Sequence, residues 1–128
     1  MGLWAMQLFT AAFLAVLFLQ SGLDKIFDRE GNLEWLTGHF SKSALADFVV
    51  PMLRVITFIE VVAGVLSALG AFVIFVGGSA FPAFCGALMA ALALLMLFFG
   101  QRVAKDYAGA AVLVNYFLLA LVALYLFR

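Results

Sequence analysis

Four stretches of nearly unbroken apolar sequence dominate the chain: residues 3–22, 50–76, 81–100 and 107–127. Each approaches or exceeds the roughly 20 residues that an α-helix needs to cross the hydrocarbon core of a bilayer. The first has no basic segment before it and no small-residue cleavage site after it, so it reads as a retained helix and not a signal peptide. The second is long enough to require tilt, and Pro51 falls in its first turn, where a missing N–H is tolerated. Gly77-Gly78-Ser79 is a tight turn between the second and third stretches, and residues 101–106 form a short polar connection before the fourth. With no internal repeat and no low-complexity tail, residues 1–128 read as a single domain. The expected fold is all-α: a polytopic membrane protein built as a four-transmembrane-helix bundle.

Residues 24–47 break the apolar pattern and hold most of the charge. Asn32 is a plausible N-cap with Glu34 in the following turn. Leu33, Leu36, Phe40 and Ala44 then recur at helical spacing, flanked by Trp35. That pattern predicts a short helix lying in the membrane interface between the first two spans. A solvated loop whose apolar residues pack on the bundle end is the alternative. Trp4 and Tyr125 fall at one membrane edge and Trp35 and Tyr107 at the other, as an aromatic belt requires.

Composition narrows the function. Of 128 residues, 68% are hydrophobic and 11% charged, and the mean hydropathy is +1.23. Soluble domains carry about 45–50% apolar and about 25% charged residues. A chain this short cannot bury so much apolar surface in water, which excludes soluble enzymes and disordered regulators. Seven basic residues balance seven acidic ones, so there is no net field to attract nucleic acid. One cysteine, Cys85, allows no intrachain disulfide, and one histidine, His39, cannot supply two haem ligands. Neither makes a metal site by itself. Cys85 reads as a packing residue and His39 as an interface residue. Any redox role must use a diffusible cofactor or a partner protein.

Glu60 is the sharpest chemical feature. A carboxylate well inside the second span is costly, so it must be paired, protonated or facing a wet cavity. It belongs to a stripe of Thr57, Glu60, Gly64, Ser67 and Ala71 that should face protein and not lipid. Arg54 lies six positions away, about 240° around the helix, so the partner of Glu60 must come from another helix. Asn115 is the best geometric candidate, about two turns into the fourth span from the same membrane face. It too sits on a small-residue stripe, with Ala104, Ala108 and Ala111. Gln20, Ser21 and Gln101 lie nearer that face, and Asp24, Lys25, Arg102, Lys105, Asp106 and Tyr107 form the mouth of the polar half.

Two functional readings follow. In the first, Glu60, Asn115, Lys25, Arg54, Arg102 and Gln20 line a polar pocket for the head group of a lipid-soluble molecule such as a quinone. Quinone carbonyls accept hydrogen bonds and their reduction takes up protons, and a carboxylate beside amide and cationic donors suits both needs. In the second, the same groups hydrogen-bond across helices and only fix the packing. A purely structural accessory subunit and a small-molecule carrier with Glu60 as its coupling site are the other classes compatible with the sequence. Ala83, Gly86, Ala87, Ala90 and Ala93 favour close helix contact within the bundle or to a partner, either a larger membrane complex or further copies of the chain.

The first span ends in Ser21-Gly22-Leu23-Asp24-Lys25, an interfacial stretch follows, and the second span carries Glu60, Gly64, Leu66 and Gly70. In this layout, and in the short motifs SGxxK and ExxxGxLxxxG, the chain resembles the DoxX family of small four-helix bacterial membrane proteins. The resemblance implies the bacterial cytoplasmic membrane and membership of a quinone-linked oxidoreductase assembly, with no catalytic residue to carry over. Basic residues usual in that family before the first span and after the second-span glycines are absent here. The family pattern implies cytoplasmic termini. The charge count opposes it: Lys25, Arg29, Lys42, Arg54, Arg102 and Lys105 all lie toward the side away from the termini, which the positive-inside rule would make cytoplasmic.

Overall fold

The computed structural model describes residues 1–128. Helix α1 spans Gly2–Phe27, α2 spans Arg29–His39, α3 spans Val49–Phe75 after a short 3₁₀ turn at Ala46–Phe48, α4 spans Phe81–Val103, and α5 spans Tyr107–Phe127. There are no strands. Helices α1, α3, α4 and α5 are each long and apolar enough to cross a membrane. The chain is thus a multi-pass membrane protein, and its apolar outer surface is what a bilayer solvates. Reporter fusions at the two ends should therefore report the same side and oppose one inserted at Gly31. Opposite locations for the termini would contradict four spans.

The bundle is organised around α3, which packs against α1 on one side and α4 on the other, while α5 packs mainly on α4. Lipid provides little hydrophobic drive between helices, so close backbone approach must come from small residues. Two antiparallel seams show this. Along α1 and α3, Gly22 lies against Val61 and Leu19 against Gly64, where a Cβ on Gly64 would stand 2.7 Å from the Leu19 backbone nitrogen. Along α3 and α4, Ser67 meets Gly86 and Gly70 meets Ala83, with 2.5 Å left for a Gly70 Cβ beside the Ala83 Cα. Ala83, Ala87, Ala90 and Ala93 are fully buried, so the α4 alanine stripe is spent inside the bundle.

Helix ends are closed by local chemistry. After α3, Gly77 adopts φ +85°; its N–H donates to the Ile74 carbonyl at 3.0 Å and that of Gly78 to the Val73 carbonyl at 2.8 Å, the doubly bonded glycine cap that ends many helices. The same pattern closes α4 through Lys105 and Asp106, which donate to Arg102 and Gln101, with Lys105 held at φ 62°. Asp106 then caps α5 by accepting the Gly109 N–H at 2.9 Å. At the opposite membrane face, the Trp4 indole donates to the Ile74 carbonyl and Gln7 to the Leu126 carbonyl, both at 2.8 Å. The Trp4 indole is a second donor to the Ile74 carbonyl, which also accepts from Gly77, and Gln7 reaches a carbonyl in the last turn of α5, where no following turn supplies an N–H.

Three local features differ from expectation. Helix α1 continues five residues past Gly22, to Phe27. The N-cap of α2 is Asp28, and Asn32 lies inside the helix, donating its amide to the Asp28 carbonyl at 2.9 Å. The helix also ends at His39, so Ala44 lies beyond it and is exposed. Leu33 and Leu36 pack on the bundle core and Phe40 is buried, so α2 rests across the bundle end. His39 fastens it there: Nε2 is 2.7 Å from Gln101 Oε1 and 3.7 Å from Asp106 Oδ2, with Trp35 stacked on the ring at 4.5 Å.

Candidate functional site

The site grows from the extension of α1. Because the helix runs through Lys25, that residue stands one turn beyond Ser21, beside Gly22, which is pressed onto α3. Its side chain is thereby turned toward α3 and not into the aqueous mouth. The ammonium lies 2.9 Å from Glu60 Oε1 and donates to Ser21 Oγ at 2.9 Å. Glu60 is 1% exposed, and Lys25 keeps 16% of its side chain accessible. The approach to Oε1 lacks hydrogen-bond alignment, so the contact is a charge pair, with Ser21 supplying the directional bond. Burial makes this pair matter: removing one partner of a buried pair leaves an uncompensated charge.

Lys25 also lines a groove. A recess of about 380 Å³ opens between the end of α1 and the start of α3, walled by Lys25, Ile26, Arg29, Arg54, Thr57 and Phe58, with Leu53 and Val61 completing it. That volume lies within the ordinary range of small-molecule pockets. The Thr57 hydroxyl is engaged with the Leu53 carbonyl at 2.6 Å. Lys25–Glu60 is the one contact between a lysine or arginine and a carboxylate within 4 Å, so Arg29 and Arg54 face the groove without a carboxylate partner. Cations, an aromatic ring and aliphatic walls thus meet in one recess.

The structure redistributes the residues expected at the site. Glu60 is buried as expected, and its partner does come from another helix, but that partner is Lys25 and not Asn115. Glu60 is not part of the groove wall; it stands behind Lys25 and acts on the groove through that ammonium. Arg54 lines the groove without reaching Glu60, in keeping with their angular separation. Asn115 and its stripe are corrected outright: Asn115, Ala108 and Ala111 lie exposed on the outer face of α5. Helix α5 turns a different set inward, Ala110, Ala120, Ala123 and Phe127. Gln20 is exposed on α1, and Arg102 is exposed at the α4–α5 corner with its guanidinium 4.5 Å from the Tyr107 ring centre. Neither joins the groove. Sequence reasoning missed Arg29 and Phe58. The four-residue spacing of Ser21 and Lys25 was the available signal for the groove edge, obscured by the expectation that the helix ends at Gly22; Arg29 opens α2 beyond the break at Asp28 and carried no such signal.

The fold and groove define a class, a four-span α-helical membrane protein with a charge-paired lysine at the edge of a recess between two of its helices. In comparisons with known proteins, the chain matches no family model, no curated protein and no solved structure.

Proposed function

We propose that the protein is a small subunit of a quinone-linked membrane redox assembly in the bacterial cytoplasmic membrane, holding a quinone head group in the groove between α1 and α3. One observation carries the reading: Lys25 is shared between the buried Glu60 and the groove wall. A cation so placed donates a hydrogen bond to a ligand carbonyl. The carboxylate behind it holds a proton that passes by way of the Lys25 amine to the ligand oxygen when electrons from the partner reduce it, and takes one back when the ligand is reoxidised. Arg54 supplies a second donor and Phe58 an apolar face for the ring. The DoxX-like layout supports the same reading. The chain contributes the binding and proton-handling part, and the electron carriers belong to its partners.

The test is purification in mild detergent, followed by extraction and mass spectrometry of the retained lipids. Wild-type protein retains quinone, Arg54→Ala loses most of it, and Val16→Phe, at a position 70% exposed on the outer side of α1, retains it. Glu60→Gln keeps the fold and the bound quinone but abolishes quinone-dependent turnover of the assembly. Normal turnover in assembled Glu60→Leu protein would remove the proton role. A second reading is favoured by the unpaired Arg29 and Arg54: the groove takes the phosphate of an anionic phospholipid. Enrichment of such a lipid, with no quinone retained, would decide for it.

A further inference from the structure

An amide in the wrong place for a lipid-facing surface marks an interface. Asn115 lies eight residues into α5, roughly 12 Å along a helix that rises 1.5 Å per residue, so it sits within the hydrocarbon layer. It is exposed, and its side-chain amide makes no hydrogen bond with its own chain. Lipid tails offer it no partner, and an unsatisfied amide in hydrocarbon costs about 4–8 kcal/mol relative to water. The residues around it have a pattern of their own. Ala108, Ala111, Asn115, Leu118, Val122 and Tyr125 are all exposed and recur at alternating intervals of three and four. That is the repeat of a left-handed helix pair, with Asn115 at a central seam position and small residues at one end for close approach.

We infer that α5 is the contact between two copies of this chain, paired about a two-fold axis along the membrane normal, with the two Asn115 amides hydrogen-bonded to each other. The occupant follows from geometry and from the amide itself. Copies inserted the same way carry Asn115 at the same depth, and a two-fold axis along the normal sets their α5 helices parallel. Asn115 therefore faces its own equivalent. An amide bears both donor and acceptor, so it is its own complement, whereas a heterologous partner would need a matching polar group placed independently at that depth. The seam lies on the outer face of α5, whose inner face is committed to α4, so pairing leaves the α1–α3 groove open to lipid. This inference does not depend on what the groove binds.

The test uses the purified full chain reconstituted in bilayers at low protein-to-lipid ratio, with dimerisation read by energy transfer between labelled copies. Wild-type protein dimerises, Asn115→Leu weakens the dimer about tenfold, the scale expected for an interhelical polar contact in lipid, and Asn115→Gln restores part of it. In a Cys85→Ser background, Ala111→Cys and Leu118→Cys form disulfide-linked dimers and Val16→Cys on the outer face of α1 does not. A monomeric wild type would overturn the inference. So would a dimer unchanged by Asn115→Leu, cross-linking through Val16→Cys alone, or Asn115-dependent association only with a different protein.

Discussion

Lys25→Met is expected to destabilise the protein by about 3–5 kcal/mol, the cost of breaking a buried ion pair by removing one partner. The substitution keeps the length and apolar body of the side chain but strands the Glu60 carboxylate, which is 1% exposed and has Lys25 as its only charged partner. The double variant Lys25→Met/Glu60→Leu should recover most of that loss, because replacing both members of a buried pair with apolar groups is often neutral or stabilising. A double-mutant cycle in detergent, read by reversible unfolding, measures the coupling directly. If the two single losses simply add, the pair has no structural role, and the proposed link between Glu60 and the groove goes with it. If the double variant is stable but retains no groove ligand, the pair serves binding more than folding.

Gly70→Leu is the second large effect, expected to cost about 3 kcal/mol, the upper end of the ordinary overpacking range, and to separate α3 from α4. Even a Cβ at that position would stand 2.5 Å from the Cα, Cβ and backbone nitrogen of Ala83. Backbone cannot swing aside as a flexible side chain can, so the helices must part along the Ser67–Gly86 and Gly70–Ala83 seam. Gly38→Ala is the internal comparison. It lies in α2 with nothing within 4 Å of the new Cβ and should be neutral or stabilising by up to about 1 kcal/mol through helix propensity. A Gly70→Leu protein with wild-type thermal stability would mean that the two helices do not meet as described.

The same arithmetic of small residues explains where sequence reading succeeded. Four apolar runs of bilayer length admit few structures other than four spanning helices, because only a helix satisfies its own backbone in lipid within one segment. The Glu60, Gly64 and Ser67 stripe was readable for a related reason: a carboxylate inside a span cannot be left in lipid, so its face had to turn inward, as it does. Gly77 marked the end of α3 because few other residues adopt the conformation that closes it.

Helix α5 shows the limit. It offers two alanine-bearing faces, one through Ala108, Ala111 and Asn115 and the other through Ala110, Ala120 and Ala123, and periodicity gives no reason to prefer either as the inward one. A polar residue on the first face made it look like the core. Packing on α4 selected the second and left Asn115 outside. The charge pair was hidden for a different reason. Asp24, Lys25 and Asp28 look like the start of a polar connection, and local composition there favours a helix end after Gly22. The contact of Gly22 with Val61 carries α1 onward against α3, and that tertiary support, absent from any local signal, turns Lys25 from the mouth of the bundle onto Glu60. The sequence by itself determined the number of spans, the turns between them and the inward face of α3, since each follows from the cost of exposing backbone or charge to lipid. Which face of α5 is buried, how far α1 extends and which cation meets Glu60 were decided only by the packing of helices distant in the chain, where faces of nearly equal apolarity differ in how closely their backbones can approach.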